Sequence, residues 1–440
     1  MSRIVQHAIR QPGVRAQGIP VDDAAGATVA VIAHDLAPDL GSEAGNAWEL
    51  ALGFERRSAR KILFVVASAN QLGTVDYSKR ISGKNIDFRR VEFVFVPYTR
   101  WERLSARVGR AFLFRHSPVG NPFVYSMLYR RWLRRAHGFA TARASVKVVH
   151  LLNHISFRWP LEGPFPDQDS MRYLWGPTGG VTEIPSRYTG SFGFFSRFKT
   201  FLSNHGLRIK RNSRSVARFA SRCERIFAVS RDDVDYFLRF NRSVSQRVDV
   251  FAELPPENDR SKRKAQSVLE LLFVGRLDER KGVDLAIDAV RGLGGVHLTI
   301  VGSGALEGAM RRRCKQHSID NVTFVGKVDK AVVADYMSGA DLLLHPSIRE
   351  AGATVVLEAL GRSLPVVCHR AFGMEYYVSE ECGYLIEMEN PESSVAQIRA
   401  LLKRLRVDRS ELRLKSAAAR HAAEGCSPEK FVDALLEAYR

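Results

Sequence analysis

LELLFVGRLDERKGVDLAIDAV, residues 269–290, reads as one strand–turn–helix unit and decides the fold. Residues 269–275 are a near-continuous apolar run ending on Gly275, as a strand buried on both faces requires. From Gly282 onward the apolar residues fall at helical spacing. VHLTIVG (296–302), VTFVG (322–326), DLLLHPS (341–347) and PVVCH (365–369) are further strand candidates, closed by Gly or a polar turn and alternating with helix-like segments. That alternation predicts a parallel sheet covered by helices, a doubly wound α/β domain.

Working back toward the N-terminus, the pattern is already present once. ATVAVIAH (27–34), KILFVVAS (61–68), VEFVFVPY (91–98), VKVVHLLN (146–153), RYLWGPTGG (172–180) and RIFAVS (225–230) are strand candidates of a second such domain. Between the two series lies ELPPENDRSKRKAQS (253–267), polar, charged and proline-bearing, the best linker in the chain. The chain of 440 residues suits two domains of about 200 residues each. The reading divides it into a loose tail at 1–26, a first domain at 27–255, a linker at 256–268, a second domain at 269–425 and a closing segment at 426–440 free to pack back on the first domain. In that segment Ser427 caps a helix whose first residue is Pro428. Two such domains face each other across a cleft, where the strand C-terminal loops gather.

Composition narrows the function. The five cysteines are scattered and never spaced as CxxC, so a reducing cytosol is expected rather than a disulfide framework or zinc site. No run approaches the roughly 20 apolar residues of a membrane span, and the first residues lack the apolar core of a secretory signal. The net charge of +19 is lopsided: residues 1–255 hold 39 Lys and Arg against 21 Asp and Glu, the rest 27 against 26. Residues 100–147 carry 11 basic residues and one acid among many aromatics, and SFGFFSRFKTFL lies in a second basic stretch. Cationic, aromatic-bearing segments suit either an anionic membrane surface, with the protein peripheral on the inner leaflet, or the Arg-rich surface of a soluble cytoplasmic enzyme. No nucleic-acid-binding module is recognisable, and no nucleic-acid partner is expected.

Three segments carry candidate chemistry. In the first, Arg276 and Lys281 flank a strand-to-helix turn, two cations beside a helix N-terminus that suit a diphosphate. In the second, Gly302-Ser303-Gly304 follows a strand and lets backbone approach a ligand. The third, LLLHPSIREAGATVVLEALGRSLPVVC (342–368), spaces Glu350 and Glu358 as E-x7-E, one in a loop and one on the following helix. Carboxylates so placed accept hydrogen bonds from sugar and ribose hydroxyls, while the helix start at 351–354 offers N–H groups to phosphate.

The order GRLxxxKG, VGxGxLE, FVG, LHPSxxExGxxxxLEAL, LPVV, GMEYYV and CGYLI resembles the retaining GT-B glycosyltransferases of family 4, the E-x7-E group, over essentially all of 270–440. GSEAGNAWELA (41–51), VVHLLNHISFRWP (148–160) and LWGPTGG (174–180) are similar to GSExGxxW, VHHxxxxSFRxP and WGPxGG stretches of a bacterial branch. The resemblance implies a GT-B fold and transfer of a sugar from a nucleotide diphosphate-sugar to a saccharide or lipid-linked acceptor hydroxyl, in polysaccharide or glycolipid assembly. It implies that Arg276 and Lys281 hold the donor diphosphate, Glu358 the ribose and Glu350 the sugar hydroxyls. Gly302 belongs to the donor side; Gly326, Lys327 and Val328 would line the base, and Gly352, Ala353 and Thr354 would support the phosphates and sugar. Gly41 and Ser42 would close on the diphosphate. Gly361, Ser363 and Met374 depart from the usual pattern.

On the acceptor side His150, at the end of VKVVH, is expected to face the donor sugar as a catalytic-side histidine, with His154, Arg158 and His34 as further candidates. The resemblance implies front-face attack, the donor phosphate taking the acceptor proton. Asp233-Val-Asp235 mimics a metal-binding DxD but reads as the start of a helix capped by Ser230, so no metal or other cofactor is expected. Competing classes are a GT-B-like sugar-nucleotide epimerase or phosphorylase, and a non-catalytic nucleotide-sugar or nucleic-acid binder.

Overall fold

The structure, a computed structural model, describes residues 28–38, 42–84, 86–113, 122–153, 156–167, 170–248, 251, 254–255 and 267–440. The tail, Gly41, His154 and nearly all of the linker lie outside the described residues.

The first domain is built on seven parallel strands: β1 Val29–Ala33, β2 Ile62–Ala67, β3 Val91–Val96, β4 Val148–Asn153, β5 Arg172–Thr178, β6 Arg225–Ala228 and β7 Val244–Gln246, in the order β3-β2-β1-β4-β5-β6-β7. The second has six: β8 Leu269–Val274, β9 Val296–Val301, β10 Val322–Gly326, β11 Leu342–His345, β12 Val366–His369 and β13 Gly383–Ile386, in the order β10-β9-β8-β11-β12-β13. Both orders reverse beside the first strand of their domain, and ligands bind beyond such switch points in open α/β sheets. Every residue of β1 and β2 is buried, as strands covered on both faces must be. Helix Pro122–Thr141 covers one face with Trp132, whose indole donates to the Val96 carbonyl at 2.9 Å, so its large apolar area is buried without an orphaned N–H.

Two glycines let the second domain's strand ends converge where the site will sit. Gly302 has φ 136°, and a Cβ there would overlap the Gly275 carbonyl oxygen; Gly282 has φ 66°, and a Cβ there would overlap the Pro346 carbonyl. Gly302→Ala should therefore destabilise the fold by about 2–4 kcal/mol. Gly206→Ala, mid-helix with open space around its Cβ, should be neutral or stabilising by up to about 1 kcal/mol. Urea unfolding of both variants checks this pair.

The closing segment returns to the first domain. Ser427 caps the helix Pro428–Ala438. Val432 of that helix is buried against Gly53, where a Cβ would clash, and Asp433 holds Arg57 through two hydrogen bonds of 2.6 Å. Phe431 and Tyr439 share a core with Phe54, Phe64 and Phe227. This clasp ties the end of the chain to the first sheet and so helps fix the cleft between the domains.

Candidate active site

The two sheets face a cavity of about 800 Å³, lined from the first domain by Glu43, Ser156, Arg158, Gly179, Gly180 and Ser203 and from the second by the segments after β8, β10 and β11. Local backbone stitching brings the loops after β8 and β11 together. Ile348 N–H donates to the Arg280 carbonyl at 2.8 Å, and the Ser347 hydroxyl donates to the same carbonyl at 2.9 Å. Residues 69 positions apart, Lys281 and Glu350, consequently meet in a direct ion pair. Ser347 also donates to Glu350 at 3.2 Å, and the His345 ring nitrogen lies 3.5 Å from the same carboxylate.

The environment sets the ionisation of Glu350. Burial pushes its pKa up, but the His345 ring and the Lys281 charge push harder the other way and hold it at about 2. His345 is fully buried, and burial drives its own pKa down, so it stays neutral near pH 7. The result is a largely buried ion pair beside the cavity, in which Lys281 also faces the space an incoming diphosphate would enter.

Glu358 sits one helical stretch further, on helix Thr354–Gly361, and pairs with Lys330 at 3.4 Å. The helix start lines the cavity through Gly352, Ala353 and Thr354. Ala353 holds φ 51°, an uncommon conformation for a residue with a Cβ. The Tyr377 hydroxyl donates to the Gly352 carbonyl, and Gly373 N–H to Ala351 at 3.0 Å, which fix this turn from behind. Arg276 is half-exposed at the cavity edge and shares Asp278 with Arg280.

Of the residues singled out in the sequence, Arg276, Lys281, Val328, Glu350, Gly352, Ala353, Thr354, Glu358 and Arg158 all line this one cavity. Gly302, Gly326 and Lys327 do not line it. Gly302 N–H donates to the Gly326 carbonyl at 2.8 Å, so these two glycines shape the floor behind the loops. Ser42 opens helix Ser42–Arg57, whose first turn puts Glu43 on the cavity wall. Arg349, Arg280, Lys330 and His345 were not singled out; Arg349 had one available signal, its position directly before Glu350.

Two expectations are corrected. His150 does not face the cleft: it is fully buried in mid-strand, with Nδ1 on the Tyr439 hydroxyl at 2.6 Å and Nε2 on the Gly176 carbonyl at 2.7 Å. β4 continues to Asn153 and pairs His150 with Val31 and Leu174, so its side chain belongs to the sheet's packed face. Burial pushes its pKa down to about 4. His34 is likewise buried, between the Tyr98 hydroxyl at 2.6 Å and Asp35 at 2.8 Å, with its ring edge-on to Trp132. Tyr439→Phe should leave His150 with an unsatisfied buried nitrogen and cost about 1–3 kcal/mol. Urea unfolding should register that loss while sugar transfer stays unchanged.

Asp233 closes a capping box with Ser230 and accepts the Val181 N–H at 3.0 Å, so the DxD is a helix start. Among the described residues no group of three or more His, Cys, Asp or Glu could hold a metal ion.

Residues 256–420 match the family described as "Glycosyl transferases group 1". D-inositol 3-phosphate glycosyltransferase from Geodermatophilus obscurus is 31% identical over 212 residues, 44% of this chain and 45% of that protein. The matches span about half or less of the length of the curated relatives. Among solved structures, WaaG, a glycosyltransferase involved in lipopolysaccharide biosynthesis, is 17% identical with a TM-score of 0.54, covering 92% of this chain and 99% of its own. Anabaena HepE in complex with UDP-glucose is 14% identical with a TM-score of 0.54, covering 93% and 99%. The second half of the chain is thus similar to group 1 glycosyl transferases over residues 256–420, and the chain as a whole has the two-domain GT-B fold.

Proposed function

We propose that this protein is a retaining glycosyltransferase of the E-x7-E group, moving a sugar from a nucleotide diphosphate-sugar to an acceptor hydroxyl. The observation that carries the reading is the Lys281–Glu350 pair, set between Arg276 and the start of helix Thr354–Gly361 in the interdomain cavity, with Glu358 eight residues on. Lys281, Arg276 and the helix dipole would bear the charge growing on the departing diphosphate. Glu350 would accept hydrogen bonds from the sugar hydroxyls, and Glu358 from the ribose. The acceptor hydroxyl would attack from the leaving-group face, its proton passing to the donor phosphate. The UDP-glucose complex of HepE supports the donor class. A thermal-shift screen of UDP-, GDP- and ADP-sugars tests it. One base series should raise the unfolding midpoint, since a ligand bound only to the native state stabilises it; no shift with any of them would refute the reading.

A membrane-borne acceptor in polysaccharide or glycolipid assembly, met at the inner face of the cytoplasmic membrane, fits the surface of the first domain. Helix Phe194–Arg211 presents Phe194, Phe195, Phe198, Phe201 and Leu202 to solvent along one face, with Phe195 84% exposed, beside Arg197 and Lys199. Ser203 lines the cavity from the opposite side of the same helix, so the exposed face lies one helix diameter, roughly 10 Å, from the site. No helix among the described residues is long and apolar enough to cross a membrane. The protein should sediment with anionic vesicles at low salt and be released at high salt, and Phe195→Ser with Phe198→Ser should weaken that binding by about tenfold or more. No binding at low salt would exclude the membrane reading.

A further inference from the structure

Six cations line the cavity: Arg158, Arg276, Arg280, Lys281, Lys330 and Arg349. Four are matched by carboxylates. Arg276 and Arg280 share Asp278, Lys281 pairs with Glu350, and Lys330 with Glu358. Arg158 and Arg349 differ: among the described residues, neither guanidinium makes a hydrogen bond or ion pair. The carboxylate that Arg349 feels, Glu183, is already held by Arg208 at 2.8 Å and by Arg211 at 3.7 Å.

The backbone carrying both guanidiniums is anchored on either side. Phe157, fully buried in the first domain's core, donates its N–H to the Gly179 carbonyl at 3.1 Å, and the Trp159 indole donates to Ser126 at 2.9 Å. The backbone of Arg158 therefore lies between two anchored aromatics. Arg349 lies in the stitched loop between Ile348 and Glu350, from the opposite domain. Burial first, and then the charge of Arg158, hold the Arg349 pKa below its ordinary value. Two partly desolvated guanidiniums that repel each other across a cleft are costly unless an anion sits between them.

The donor diphosphate is already served by Arg276, Lys281 and the helix start, so this pair is available to a third anionic group. We propose that Arg158 and Arg349 form a clamp, one arm from each domain, for a phosphoryl group carried by the acceptor; this rests on the sugar-transfer reading above. Two planar forks can engage several oxygens of one phosphoryl group, and a dianion neutralises both charges. The same chemistry is offered by a soluble phosphorylated sugar or by a lipid-borne phosphate.

The test is titration of inorganic phosphate into protein saturated with whichever of UDP, GDP and ADP binds. Phosphate should bind alongside the nucleotide. Arg158→Gln and Arg349→Gln should each weaken phosphate by about tenfold or more while leaving the nucleotide Kd within about twofold. Arg158→Lys and Arg349→Lys, which keep the charge, should fall between wild type and Gln and show that the effect is not a folding defect. Displacement of phosphate by glucose 6-phosphate would mark a soluble acceptor, and displacement by phosphatidic acid vesicles a lipid-borne one; displacement by neither overturns the acceptor assignment. Mutual exclusion of phosphate and nucleotide, or an equal loss of both in the Gln variants, would assign the arginines to the donor and overturn the proposal. Wild type that binds none of the three nucleotides refutes the donor reading itself, a result visible before any phosphate is added, and the acceptor assignment falls with it.

Discussion

Lys281→Ala should lower sugar transfer by between about a hundredfold and a thousandfold, the range for removing one preorganised group from a developing anion. Its ammonium is held where the loops after β8 and β11 meet, paired with Glu350 and lining the same cavity as Arg276. A lysine so placed costs little reorganisation when charge appears on the departing phosphate, and its partial burial strengthens its effect. Removing it also leaves Glu350 without its cationic partner, so the unfolding midpoint must be measured beside kcat. Lys281→Arg separates the two effects. It should restore stability by keeping the pair, yet recover only part of the rate, because a planar fork does not replace a point charge at a fixed distance. Transfer at the wild-type rate in Lys281→Ala would remove the residue from the chemistry.

Glu350→Gln should lower kcat/KM by about a hundredfold, the cost of losing one charge-assisted set of hydrogen bonds to a substrate hydroxyl in a desolvated site. The amide keeps the shape of the carboxylate, so the loss reports charge rather than packing. A second readout is independent of substrate. The pKa of Glu350 is held at about 2 in the folded protein, below the ordinary value of about 4.3 for an unfolded chain. A group whose folded pKa is depressed contributes stability at higher pH and loses it as the pH falls through the gap. Wild type should therefore lose stability between about pH 5 and pH 2, by no more than about 3 kcal/mol on account of this group. Glu350→Gln should lack that portion of the acid limb. Identical acid limbs in the two proteins would show that Glu350 is not held as described.

Most of the fold was readable because each inner strand is a run of apolar residues wide enough to be recognised alone, as in KILFVVAS and LELLFVG. β7, Val244–Gln246, escaped: it is a three-residue edge strand, and Val-Ser-Gln carries no apolar run. The donor half of the site was readable for a local reason. Arg276 and Lys281 lie within one turn, as do Gly352, Ala353 and Thr354, and Glu358 follows on the same helix. The acceptor half depends on contacts distant in sequence. His150 was misread because VKVVH looks complete at the histidine, whereas β4 runs on to Asn153; the residue that satisfies its ring, Tyr439, is 289 positions away. Arg349 was passed over because its one signal, adjacency to Glu350, does not tell whether its side chain points to bulk water or into a cleft. Its meaning appears only when Arg158 is placed opposite it.

The most direct test of sugar transfer in this cleft is release of nucleoside diphosphate from UDP-, GDP- and ADP-sugars, with water as the default acceptor, by wild type, Lys281→Ala and Glu350→Gln side by side. One nucleotide-sugar series should be turned over by the wild type and by neither variant above about a hundredth of that rate. Wild-type turnover in both variants would contradict it.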